Sequence, residues 1–175
     1  FINFSNNRIE GAATDSFRLA EKILNKSSSK LEQSIILPRT TAQELIRILS
    51  GLEKVAISIS ENQIFFVTED AEIVSRLIEG SYPDYKKVIP DKAISKVLVN
   101  KNEFEKSIRL AGIFSSHTSD IKIIGDKDGL KIAAKNVDRG EVSSWINNAI
   151  IKDEPFEVSV NYRYLMDGIK VMPTD

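Results

Sequence analysis

The chain has 175 residues, 42% hydrophobic and 28% charged, which is ordinary globular usage with room for one large or two small domains. It has no cysteine, which excludes a disulfide framework and a thiolate zinc site and fits a reducing, cytoplasmic setting. No run approaches the ~18 apolar residues of a membrane span, and a net charge of −1 gives no bulk attraction to nucleic acid, so any such role needs a local arrangement of charge.

From the N-terminus, Asn6-Asn7-Arg8-Ile9-Glu10-Gly11-Ala12-Ala13 reads as a turn and a strand, with Arg18 five residues on. Residues 25–30 form a loop by composition. Ser34-Ile35-Ile36-Leu37-Pro38 is a strand that runs into a helix predicted over Thr41 to Leu52. Val55 to Ser60, Ile64 to Thr68 and Ala71 to Glu79 alternate apolar and polar residues, as strands with one buried face do. Ser81-Tyr82-Pro83-Asp84-Tyr85 ends this passage, and a domain boundary is expected near Pro90-Asp91, giving domains 1–90 and 91–175. A helix is predicted over Lys101 to Ser115. Ile121 to Ile124 and Leu130 to Ala133 then flank the turn at Asp126 to Gly129, and Glu157 to Asn161 leads into a helix over Tyr162 to Lys170. The expected fold class is α+β, with antiparallel sheets covered by a few helices.

The chain also repeats. Ala12 to Ala133 and Arg18 to Arg139 are both 121 positions apart, and Leu37 to Val160 is 123. Two landmarks of different type recurring in order argue for a duplicated module. The helix before the second copy has its counterpart before residue 1, and the chain stops directly after the second copy's later helix, so a piece of a longer protein is expected.

Each helix carries cations away from its apolar stripe. Phe104, Ile108 and Ala111 share one face with Lys106 and Arg109 opposite, while Ala42, Leu45, Leu49 and Leu52 form a stripe away from Gln43 and Arg47. Arg163 and Lys170 flank the inward residues Leu165, Met166 and Ile169. A solvated surface and a shared basic surface for loose phosphate contact both fit. Ile113 and Phe114 lie off the stripe at a helix end, either buried under a neighbouring loop or forming an association surface. Asp15, Asp84, Tyr85 and the lone His117 have no spacing that acid–base catalysis requires, and no Gly-rich phosphate loop is present. A non-catalytic, β-rich oligomeric structural or interaction protein therefore stays open on these grounds.

Ala13-Thr14-Asp15-Ser16-Phe17-Arg18-Leu19-Ala20 resembles the Ala-Thr-Asp-x-x-Arg-Leu-Ala signature of the bacterial β sliding clamps, the processivity subunits of DNA polymerase III. Ile36-Leu37-Pro38-Arg39, Gly80-Ser81-Tyr82-Pro83-Asp84-Tyr85-Lys86-Lys87-Val88-Ile89-Pro90 and Asn161-Tyr162-Arg163-Tyr164-Leu165-Met166-Asp167-Gly168 extend the resemblance in the family's order. The resemblance implies a DNA clamp fold of three similar domains per chain, of which this chain covers most of the second and part of the third. It implies a head-to-tail homodimeric ring around double-stranded DNA, held without sequence preference, and no cofactor or catalysis. The implied inner-wall cations are Arg39, Arg47, Lys101, Lys106, Arg109, Arg163 and Lys170, and the implied dimer contacts are Ile113 and Phe114. Polymerase, clamp loader and repair proteins are implied to bind through a short peptide rich in Gln, Leu and Phe, in a groove between the second and third domains. Its matching positions here are Thr14, Ser16, Phe17, Arg18, Leu19, Pro83, Lys87 and Val88. Two of these depart from the family's usual pattern: Phe17 stands where His is common, and Lys87 where Arg is common, which loses a bidentate donor.

Overall fold

The computed structural model describes residues 1–25 and 31–173, so most of the loop expected at 25–30 lies outside the described residues. The chain divides into two compact units, Phe1–Ile89 and Pro90–Asp175.

In the first unit, β1 (Ile2–Ser5), β2 (Arg8–Thr14), β3 (Leu19–Asn25) and β4 (Gln33–Ile35) form one antiparallel sheet in the order β3-β2-β1-β4. The β1–β2 turn needs a left-handed residue, and Asn7 supplies it at φ 62°. Helix α1 (Arg39–Ile48) follows Pro38, whose fixed φ suits a helix start. A meander of β5 (Ala56–Ile59), β6 (Gln63–Val67) and β7 (Glu72–Arg76) forms the unit's second sheet. Phe4 and Ile35 from the first sheet and Ile64 and Phe66 from the second make one core, which Leu37 and Leu45 of the α1 region cover. The helix stops four residues earlier than predicted, so Leu52 belongs to the turn beyond it and is exposed rather than part of the stripe.

The second unit adds β8 (Ser95–Leu98) and α2 (Lys101–Ile113) before its main sheet. That sheet comprises β9 (Asp120–Asp126), β10 (Gly129–Asn136), β11 (Gly140–Ile146) and β13 (Phe156–Asn161), in the order β11-β10-β9-β13; β12 (Ile150–Asp153) pairs with β8. Helix α3 (Tyr162–Val171) closes the unit. Asn100 and Asn161 cap α2 and α3, accepting from the amides of Glu103 at 3.1 Å and Arg163 at 3.0 Å. Lys101, at the start of α2, donates to the carbonyl of Met172 at the end of α3 (2.7 Å), while Gly112 near the end of α2 meets the Tyr162 ring. The two helices therefore run antiparallel. A Cβ on Gly112 would sit 2.8 Å from that ring, so only glycine lets them approach this closely. Ile108, Ala111, Met166 and Ile169 press onto Ile121, Ile123, Leu130, Ile132 and Ile146 of the sheet.

The two main sheets have one topology, and the register carries the expected spacing. Phe4 faces Ile9 where Gly125 faces Leu130, a shift of 121 at both positions. Asn3 faces Ser34 where Ile124 faces Glu157, so the last strand shifts by 123, as do the helices starting at Arg39 and Tyr162. Among the described residues all pairings are antiparallel, and the fold is α+β, as the sequence predicts.

Candidate functional site

Strands β2 and β3 are joined by residues 15–18, and the turn is built from its own side chains. Asp15 Oδ1 accepts from the amides of Phe17 and Arg18, both at 3.1 Å, and Asp15 Oδ2 holds Arg18 Nε at 3.0 Å. Thr14 Oγ1 donates to the Arg18 carbonyl at 2.8 Å and accepts from the Ser16 amide at 3.1 Å. Ser16 takes φ 73°, a left-handed conformation that costs a serine free energy. Desolvation works to raise the Asp15 pKa, but the two amides and the Arg18 guanidinium outweigh it and hold the carboxyl below the usual carboxylate value. The result is a rigid turn that projects Phe17 into solvent, 81% exposed.

The second predicted stretch, 83–88, contains a single 3-10 turn at Tyr85–Val88. Pro83, Lys87 and Val88 are exposed, Val88 by 74%, and Lys87 Nζ lies 3.2 Å from Asp84 Oδ2. The intervening residues tie it to the hairpin. Tyr85 is 6% exposed and its hydroxyl donates to Glu21 Oε1 on β3 at 2.7 Å. Lys86 Nζ donates to Glu10 Oε1 on β2 at 3.3 Å. That hydrogen bond to the Glu21 carboxylate, then burial, pushes the Tyr85 hydroxyl up to about 12. The structure thus brings the stretch 83–88 against the hairpin that carries Thr14, Ser16, Phe17, Arg18 and Leu19. Glu10 and Glu21, which make this contact, had no motif to single them out; for Glu10 the available signal was a carboxylate within a predicted strand.

The seven predicted cations are not equivalent. Arg39, Lys106 and Lys170 are exposed, and their side chains make no hydrogen bond or ion pair among the described residues. Arg47 is tied to Glu44 (Nη2 to Oε2, 2.8 Å), Arg109 to Glu105 (Nε to Oε1, 3.0 Å), and Arg163 lies 5.9 Å from the Tyr162 ring centroid. Lys101 is half-buried, its ammonium taken by the end of α3. On α2 and α3, Lys106, Arg109, Arg163 and Lys170 are exposed, and so are Glu103 and Asp167. Ile113 is 60% exposed. Phe114, one residue on and just past the end of α2, is half-buried and packs against the core of the second unit.

Three of the four groups weighed for catalysis have partners. Asp15 holds its own turn, Asp84 pairs with Lys87, Tyr85 donates to Glu21, and His117 lies exposed in the loop after α2.

Residues 1–84 match the model of the DNA polymerase III beta subunit, central domain, and residues 86–175 that of its C-terminal domain. The beta sliding clamp of Rickettsia felis is 28% identical over 189 aligned positions, which take in 100% of this chain and 50% of that protein. The DNA polymerase sliding clamp of Bacillus subtilis superposes with a TM-score of 0.92 at 26% identity, covering 98% of this chain and 46% of that one. The DNA polymerase III subunit beta of Pseudomonas aeruginosa gives 0.91 at 25% identity, covering 99% and 48%. The chain thus spans about half the length of these relatives. With both units matched in order from end to end, the chain belongs to the DNA polymerase III beta subunit family.

Proposed function

We propose that the protein is a DNA-encircling processivity clamp, with domains 1–90 and 91–175 as its central and C-terminal domains. The observation that carries this reading is the ordered match of both units to the beta subunit's domains, together with the duplicated sheet they share. In this role the protein performs no chemistry. It holds duplex DNA through phosphate contacts from Arg39, Arg47, Lys101, Lys106, Arg109, Arg163 and Lys170, which slide because they read no bases. The full-length protein closes its ring as a head-to-tail dimer, with Ile113 at the contact and Phe114 supporting it.

Polymerase, loader and repair proteins dock by a short peptide on Thr14, Ser16, Phe17, Arg18, Leu19, Pro83, Lys87 and Val88. Leu19, Pro83 and Val88 offer apolar contact, while Thr14, Arg18 and Lys87 offer polar anchors. The rigid turn at 15–18 supports this role, since a preordered site loses less entropy on binding. The test loads the full-length protein onto primed circular DNA with its cognate loader and polymerase. Long products that vanish with Arg18→Ala or Leu19→Lys are expected. Product lengths unaffected by adding the protein overturn the processivity reading.

A further inference from the structure

The stretch 83–88 has little of its own to hold it. Its helical content is one 3-10 turn, with bonds of 3.3 Å from the Lys87 amide to the Asp84 carbonyl and 3.2 Å from the Ile89 amide to the Lys86 carbonyl. A single turn of this kind frays in water. Pro83 and Val88 are exposed, so their burial does not anchor it either.

What anchors it is a pair of adjacent side chains reaching two strands. Ala12 of β2 is the register partner of Glu21 on β3, and Glu10 is the partner of Ile23. Glu10 and Glu21 are therefore diagonal neighbours on one face of the sheet, and Leu19, two residues before Glu21, lies on that face too. Tyr85 takes Glu21 and Lys86 takes Glu10, a buried residue whose carboxylate is also paired with Arg8. Tyr85 is further wedged by rings: Phe1 stacks on Tyr82 at 4.9 Å, and Tyr85 meets Tyr82 edge-on at 6.2 Å.

We propose that Glu21 and Glu10, acting through Tyr85 and Lys86, are positioning residues of the peptide-binding surface, locking the 83–88 stretch at a fixed distance from Leu19 and Arg18. The proposal rests on the peptide-binding reading above. It assigns a function to the Tyr85–Glu21 hydrogen bond, which lies outside the unit's main core. Glu21 is exposed, so removing the Tyr85 hydroxyl strands no buried charge, and the unit's main core of Phe4, Ile35, Ile64 and Phe66 is untouched.

The experiment measures binding of a short fluorescein-labelled peptide built of Gln, Leu and Phe to the full-length protein, with Tm recorded on the same samples. Tyr85→Phe and Glu21→Ala should each weaken binding about tenfold, while Glu21→Gln, which keeps the acceptor, restores most of it. The double variant Tyr85→Phe with Glu21→Ala should bind no worse than either single one, since both remove one contact. Wild-type affinity in Tyr85→Phe and Glu21→Ala, with binding lost in Arg18→Ala, overturns the positioning role and leaves the peptide reading standing. Weakened binding matched by a fall in Tm in every variant, Glu21→Gln included, also overturns it. Wild-type protein that fails to bind the peptide overturns both.

Discussion

Asp15 and Asn136 occupy equivalent places in the two sheets, 121 residues apart, and each uses its side-chain oxygen to accept from the amides two and three residues on. An arginine stands at the third position in both turns, and the type of side chain decides what it does. The Asp15 carboxylate holds Arg18 Nε at 3.0 Å within the turn. The neutral Asn136 has no such hold, and Arg139 Nη1 instead donates to the Ile113 carbonyl (3.3 Å) while Asn136 Nδ2 donates to the Ser115 carbonyl (3.1 Å). One copy of the device makes a self-contained turn that displays Phe17, and the other fastens a hairpin to the end of α2.

The first turn should therefore be acid-sensitive in a defined window. The Asp15 pKa is depressed in the folded turn, so its contribution is present above the ordinary aspartate value and is lost as pH falls through the depressed one. Amide chemical shifts of Phe17 and Arg18 should move together below about pH 4. Asp15→Asn should abolish that titration while keeping both amide bonds. A Phe17 shift that titrates unchanged in Asp15→Asn contradicts this account.

Tyr85 should resist ionisation. Its hydroxyl is pushed to about 12 by the Glu21 hydrogen bond, against about 10 for a free tyrosine. A folded pKa above the unfolded one contributes stability that is complete below about pH 10 and disappears as pH rises through about 12. Tyrosinate absorbance should show one late-titrating group in the wild type. That late step should be missing in Tyr85→Phe and shifted down in Glu21→Ala.

The cations divide by their partners, and salt dependence should reveal it. In full-length protein, Lys106→Ala should weaken DNA binding equally for any sequence and reduce the salt slope by about one. Lys101→Ala should weaken DNA binding and in addition lower the melting temperature of the second unit, because its ammonium closes the end of α3, at about 0.5–1 kcal/mol. Equal effects of the two variants on both measurements contradict the division.

Ile113 and Phe114 should part company for the same reason. Ile113→Ala removes an exposed side chain and should shift sedimentation of the full-length protein toward monomer with little change in stability. Phe114→Ala opens space against the core and should cost about 2–3 kcal/mol of unfolding free energy. A stable Phe114→Ala protein that is cleanly monomeric would reverse the assignment.

Much of this architecture was written in local pattern. The duplication, the hairpins at Asn6-Asn7 and at Asp126 to Gly129, and the helices after Asn100, Pro38 and Asn161 follow from turn residues, caps and periodicity, which act over a few positions. The motif at 14–19 was legible through its resemblance to the clamp signature, and in the structure Asp15, Ser16 and Arg18 bond within it. Strand β3 was not: Leu19-Ala20-Glu21-Lys22-Ile23-Leu24-Asn25 is an edge strand with charges on both faces, and alternation weakens where neither face is fully buried. Strands β8 and β12 escaped because two short strands from distant segments pair only with each other. Tertiary packing alone decided the anchoring of 83–88 by Tyr85 on Glu21 and Lys86 on Glu10, the turning inward of Phe114, and the capture of Lys101 by α3. Those contacts join residues 64 to 76 positions apart, or depend on where a helix happens to stop, and no local periodicity encodes either.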